Sequence, residues 1–204
     1  DPVEQVAAMP VPGAKHDQIA LPPALYPDRR NSAGLDLSNE GALAALSDAL
    51  AQSTTIAWTA APADGEGATR PVVNPADHRD LVGSVTEMTP EAAVRAVARA
   101  GASSWSAMPV DERAACLERA ADALEARMPV LMGLIMREAG KSAANAISEV
   151  REAVDFLRYY AVQARATLGD CVPLGPVVCI SPWNFPLAIF AGQVGAGLVV
   201  GKTV

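Results

Sequence analysis

The sequence predicts an α/β fold: an extended arm, then a helical region, then the opening unit of a doubly wound parallel sheet. Three observations carry that expectation. Prolines at 2, 10, 12, 22, 23, 27, 62, 71 and 75 keep regular elements short over residues 1–75. Amphipathic runs, each with its own start or stop residue, fill the stretch from Thr89 to Gly169. Last comes the unbroken apolar run Val177-Val178-Cys179-Ile180, followed by a loop, a helix and the start of a second strand. A strand without alternation is buried on both faces, as in a parallel sheet. Ligands of such Rossmann-type sheets lie outside the carboxyl ends of the strands.

The elements follow in order. In the arm, Leu43, Leu46 and Leu50 fall on one helical face, so a helix is expected from Glu40 to Gln52. Ala60 to Thr69 reads as a loop, and Arg70 to Val73 as an edge strand closed by Asn74-Pro75. An arm with no evident core of its own is expected to pack on another body. Thr89-Pro90-Glu91 supplies an N-cap, a first-turn proline and a first-turn acid for a helix whose Val94, Val97, Ala98 and Gly101 share a face. Asp111 can cap a second helix with the stripe Leu117, Ala120, Ala121, Leu124 and Met128. Pro129 starts a third, carrying Leu131, Leu134 and Ile135 inward and ended by Gly140 in the left-handed conformation. A fourth runs from about Ala143 to Thr167 on Ile147, Val150, Val154, Leu157 and Ala161, and Gly169 stops it. After the apolar run, Ser181 to Pro186 is a loop and Leu187 to about Val200 a buried helix closed by Gly201, with Thr203-Val204 opening the next strand.

Composition narrows the function. With 50% apolar and 19% charged residues in 204, the chain can bury a sizeable core. A formal charge of -7 leaves no basic face for phosphate backbones, which argues against a nucleic-acid partner through this segment. Cys116, Cys171 and Cys179 are odd in number and lack metal-ligand spacing; they read as structural residues of a protein in the reducing cytoplasm, and no metal site is expected. His16 and His78 sit in the arm region without partner clusters and read as surface residues. The first residues, Asp1 to Glu4, do not begin a secretory signal. The stretch Leu187 to Val200 is interrupted by Gln193 and is shorter than the roughly 20 residues of a spanning helix, so no transmembrane span is expected. Both ends are expected to lie within a longer chain.

The run Ile180-Ser181-Pro182-Trp183-Asn184-Phe185-Pro186-Leu187 resembles the strand-end signature of aldehyde dehydrogenases, and Glu138-Ala139-Gly140-Lys141 resembles the turn after the third helix of that family. The resemblance covers about Val73 to Val204. It implies a connector or arm over 1–75 and, over 76–204, the amino-terminal part of an NAD-binding aldehyde dehydrogenase domain. Upstream, His16 to Pro22 and Arg30 to Leu37 resemble the connector of the family's bifunctional proline-catabolic branch. That implies oxidation of L-glutamate γ-semialdehyde to L-glutamate with NAD, and FAD only in a proline dehydrogenase module upstream. A related dehydrogenase for another small aldehyde, and a non-catalytic assembly element, are the alternatives. The implied partners are a small-molecule aldehyde and further copies of the chain in a homo-oligomer.

The resemblance also implies roles residue by residue. The Asn184 amide would donate to the oxyanion of the tetrahedral adduct, or else tie the loop to backbone groups. Ile180, Ser181, Pro182 and Trp183 would line the nicotinamide side of the cofactor groove, or simply pack the loop. Phe185 is a candidate wall of the aldehyde pocket or a core aromatic; Glu149 is a pocket acid by position or an ordinary salt-bridged helix carboxylate. Nucleophile, general base and ribose-binding lysine are expected beyond Val204. Gly195-Ala196-Gly197 with Gly201 lies too late in a helix for a dinucleotide fingerprint and reads as close helix packing. The family usually has alanines at 195 and 197 and asparagine at 202, where this chain has Gly195, Gly197 and Lys202.

Overall fold

A computed structural model describes residues 1–8 and 15–204; Pro10 and Pro12 of the arm lie outside them. The arm holds a short helix, α1 (Pro2–Ala7), a 3-10 turn at Pro22–Ala24, and α2 (Glu40–Ser53). The Asn39 side chain starts α2 by accepting the Ala42 amide, and the leucine stripe is only partly used: Leu46 is buried, Leu50 packs on the core and Leu43 faces out.

Three strands follow where the sequence offered one. β1 (Trp58–Ala60), β2 (Gly67–Asn74) and β3 (Asp77–Met88) form a mixed sheet in the order β1-β3-β2, with β1 parallel and β2 antiparallel to β3. The expected loop over Ala60 to Thr69 therefore shrinks, and the expected edge strand Arg70 to Val73 lengthens at both ends. Its partner β3 went unread, although Val82, Val85 and Thr86 are β-branched. Pro75 and Ala76 turn the β2–β3 hairpin, and Asn74 Oδ1 accepts the Ala76 amide at 2.9 Å. The hairpin is clamped to the helices by Asp80, which accepts from Arg137 at 2.5 and 3.0 Å.

The helices are α3 (Pro90–Gly101), α4 (Val110–Ala126), α5 (Met128–Ala139), α6 (Ala143–Thr167) and α7 (Ala188–Val199). Thr89 caps α3 as expected, through the Ala92 amide. Its inward face is different: Ala92 is buried while Val94 and Val97 are exposed. Asp111 does not cap α4. That helix starts two residues earlier than such a cap would place it, after Pro109, leaving Asp111 in the first turn. Its buried stripe is Ala114, Leu117 and Ala121, with Ala120 exposed, and Met128 opens α5 instead of ending this stripe.

Long α6 is the central element. Ser142 caps it by accepting the Asn145 amide, and no glycine or proline interrupts its 25 residues. Val150, Val154 and Leu157 join Leu117 and Ala121 of α4 and Val199 of α7 in one core. Burial of each Val or Leu side chain stabilises by roughly 1.5–3 kcal/mol relative to exposure. α7 approaches so closely that a Cβ on Gly195 would lie 2.6 Å from Leu157 Cδ2. Helix packing, not phosphate binding, is thus what this glycine serves.

Part of the arm, around Ser32, packs on this chain itself. Asp155 of α6 accepts the backbone N–H and the hydroxyl of Ser32, both at 2.7 Å, and Arg151 Nε donates to the same hydroxyl at 3.1 Å. Glu125 of α4 accepts the Ala33 amide at 2.8 Å and Arg158 at 2.7 Å.

One expected element is not formed as a regular strand. Val177 to Ile180 runs without a ladder, and Val178 and Ile180 are exposed. A single rung, Val177 N–H to Thr203 C=O at 2.8 Å, marks where the pairing begins.

Candidate active site

Gly140 ends α5 at φ 64°, ψ 28°, a conformation that a side chain would disfavour, and so reverses the chain into the α6 cap. The turn delivers Lys141 against α6. Its Nζ donates to Glu149 Oε1 at 2.8 Å and stands 4.2 Å from the centre of the Phe185 ring. The Glu149 side chain is only 2% exposed. Its other oxygen, Oε2, accepts the amides of Leu187 at 3.2 Å and Ala188 at 3.0 Å. Those are the first amides of α7, which has no side-chain cap of its own. A carboxylate there satisfies orphan donors and meets the positive end of the helix dipole.

The motif loop hangs between these two helices, and Asn184 lies at its tip. It is exposed and lines a cleft of about 430 Å³ with Lys141, Asn145, Glu149, Glu152 and Phe185. Among the described residues, no hydrogen bond engages the Asn184 side chain, so its NH₂ remains available to a ligand. Three expected residues, Asn184, Phe185 and Glu149, thus meet around one cleft.

The four expected cofactor residues do not share it. Ile180 is 83% exposed beside α7, in a groove with Val178, Gly197 and Lys202, and its carbonyl accepts Gln193 Nε2 at 3.2 Å. Trp183 is 84% exposed and lines a second cleft, about 580 Å³, with Trp58, Val82, Leu134 and Pro186. Ser181 and Pro182 bridge the two, and the Pro182 carbonyl accepts the Phe185 amide at 3.4 Å. The sequence reading gave Lys141 no role. The signal was there in Gly140-Lys141, eight residues ahead of Glu149, but only the fold brings that pair to Phe185.

The other candidates stay apart from the cleft. Cys116 accepts from Arg119 at 3.0 Å, Cys171 is exposed and Cys179 is half-buried; His16 and His78 are exposed. Among the described residues, no group of three potential metal ligands exists, and no helix is long and apolar enough to cross a membrane.

The sequence profile of the aldehyde dehydrogenase family matches residues 62–204. The chain belongs to that family. Within it, the chain is 61% identical over its whole length to the bifunctional protein PutA of Rhizobium meliloti and spans 17% of that relative. It is 37% identical, over 65% of its length, to the 1-pyrroline-5-carboxylate dehydrogenase of Anoxybacillus flavithermus, spanning 29% of that enzyme. The crystal structure of proline utilization A from Bdellovibrio bacteriovorus superposes with a TM-score of 0.78 at 28% identity, covering 95% of this chain and 22% of that one. A Thermus 1-pyrroline-5-carboxylate dehydrogenase with bound NAD gives 0.77 at 28% identity, covering 89% and 39%.

Proposed function

We propose that this chain is part of an NAD-dependent dehydrogenase that oxidises L-glutamate γ-semialdehyde to L-glutamate, within a bifunctional enzyme of proline catabolism. The observation that carries the reading is the unengaged Asn184 amide at the rim of a cleft, in a Pro-Trp-Asn-Phe-Pro loop of a chain 61% identical to a bifunctional PutA. In this reading Asn184 donates to the oxyanion formed when a nucleophile adds to the aldehyde. Donors aimed at developing charge are worth roughly 2.7–4 kcal/mol of transition-state stabilisation. Phe185 walls the aldehyde cleft and Glu149 forms its buried floor.

NAD supplies the hydride acceptor. In this reading Ile180, which ends the strand-like segment, and Ser181, Pro182 and Trp183, which follow it, line the nicotinamide side of the cofactor groove, at the carboxyl end where such sheets take nucleotides. The NAD-bound Thermus relative supports the same cofactor. Residues 1–75 then serve as connector and 76–204 as the start of the dehydrogenase domain. FAD belongs to a proline dehydrogenase module upstream, and the whole works in the cytoplasm as a homo-oligomer.

The test is NAD⁺ reduction by the full-length protein with L-glutamate γ-semialdehyde against a panel of small aldehydes. Asn184→Ala is expected to lower kcat about a hundredfold or more. An unchanged rate removes Asn184 from its role, a better rate with another aldehyde replaces the substrate, and no turnover at all favours an assembly element.

A further inference from the structure

We infer that Lys141 and Glu149 act as a positioning pair for Asn184, holding the motif loop in register from behind rather than touching the substrate. The inference deepens the dehydrogenase reading and rests on it for its kinetic consequence. Glu149 is the most enclosed polar group on the cleft, yet both its oxygens are taken by the protein: Lys141 Nζ on one, the Leu187 and Ala188 amides on the other. A carboxylate so occupied has little left to offer an aldehyde. What it does offer is a fixed origin for α7, whose N-cap, Leu187, is only three residues after Asn184.

Lys141 ties the other side. The ammonium that neutralises Glu149 also sits over the ring of Phe185, the residue next to Asn184. One cation therefore links the helix origin and the loop tip. Its turn is set by Gly140 and the Ser142 cap, so the Lys141 backbone is itself anchored. An oxyanion donor works only if its amide waits where the charge will form, and a misplacement of about 1 Å can cost about a hundredfold. In this chain the placement is made by an ion pair between a turn and a helix, acting across the loop.

The experiment uses the full-length protein and the variants Glu149→Gln, Lys141→Met and Lys141→Arg, each with and without Asn184→Ala. Glu149→Gln and Lys141→Met are expected to lower kcat about tenfold with the aldehyde KM within about threefold, while Lys141→Arg, which keeps the charge, stays within about threefold of the parent. In the Asn184→Ala background the same changes should cost no more than about twofold, because their effect passes through that amide. Hydrogen exchange at Leu187 and Ala188 should quicken about tenfold in Lys141→Met, whatever the substrate proves to be. A rise in KM at constant kcat would make Glu149 a substrate contact and overturn the inference, as would additive losses in the Asn184→Ala background or unchanged exchange. If Glu149→Gln fails to fold, the two lysine variants decide. A parent protein without aldehyde turnover would sink the dehydrogenase reading alone, since exchange still tests the holding pair.

Discussion

The connector around Asn31 to Leu37 and the segment from Val177 to Asn184 have exchanged the roles their compositions suggest. The first is polar and lies in a proline-rich arm, yet Ser32 is fully buried and its backbone is bonded to α6. The second is apolar, yet Val178, Ile180 and Trp183 face outward. The difference is one of partners. Ser32 and Ala33 find carboxylates already placed on α4 and α6, so each polar group that leaves water gains a charge-assisted bond. Val177 to Ile180 is joined to Thr203 by one backbone bond, from the Val177 N–H. Burial of the connector's polar groups follows the partners that the helices bring to them.

The connector is bonded to α6, and the loop leads into α7, which packs on α6; that gives ways to break the comparison. The largest stability effect is expected from Leu157→Ala, which empties the core beneath α7 and should cost about 2–5 kcal/mol by urea unfolding. Because the core supports both regions, exchange should quicken in each. Loss of protection in the connector alone would mean that α7 is held by something other than α6.

Asp155→Ala should cost less, about 1–3 kcal/mol, by leaving the Ser32 N–H and hydroxyl unsatisfied. Here the expected result is selective: faster exchange and proteolysis around residues 28–38, with the amides of Leu187 and Ala188 unchanged. If both regions loosen together, the two faces of α6 are not independent and the contrast between them fails.

Acid gives the smallest effect. Burial pushes the Glu125 carboxyl up, but Arg158, the Ala33 amide and Arg30 outweigh it and leave the group below the ordinary 4.5. Asp80 is held lower, at about 2, first by its bonds to Arg137 and then by Asn74. Both folded values are depressed. Each group's contribution is therefore complete above its ordinary value, near 4.5 for Glu125 and 3.8 for Asp80, and is lost as pH falls through the folded value. The connector's contribution should start to fall as pH drops below 4.5 and the hairpin clamp's as it drops below 3.8, the clamp's being lost by about 2. An acid titration followed by exchange checks this; either region loosening above its ordinary value would contradict it.

The helical middle was legible because its punctuation is local. Thr89 and Gly140 act through residues within a turn of themselves, so α3 and the end of α5 follow from chemistry at short range, as does the Ser142 cap of α6, which the structure adds. The motif loop was legible as well: Asn184, Phe185 and Glu149 do line one cleft. Less so were β1 and β3, whose pairing joins residues far apart along the chain and leaves only weak period-two traces. Nor could spacing reveal that Ile180 and Trp183 face different concavities, since that depends on how the loop is pinned at each end.

By itself, then, the sequence determined the helices, the Thr89 cap of α3, the left-handed end of α5 at Gly140 and the family signature that carries Asn184. Tertiary structure alone decided that the arm docks on α4 and α6, that Glu149 caps a helix other than its own, and that Lys141 reaches both Glu149 and Phe185. The physical reason is range. Caps and periodicity are settled within one or two turns of backbone, whereas a buried carboxylate is satisfied by whichever donors the packing of distant segments brings to it.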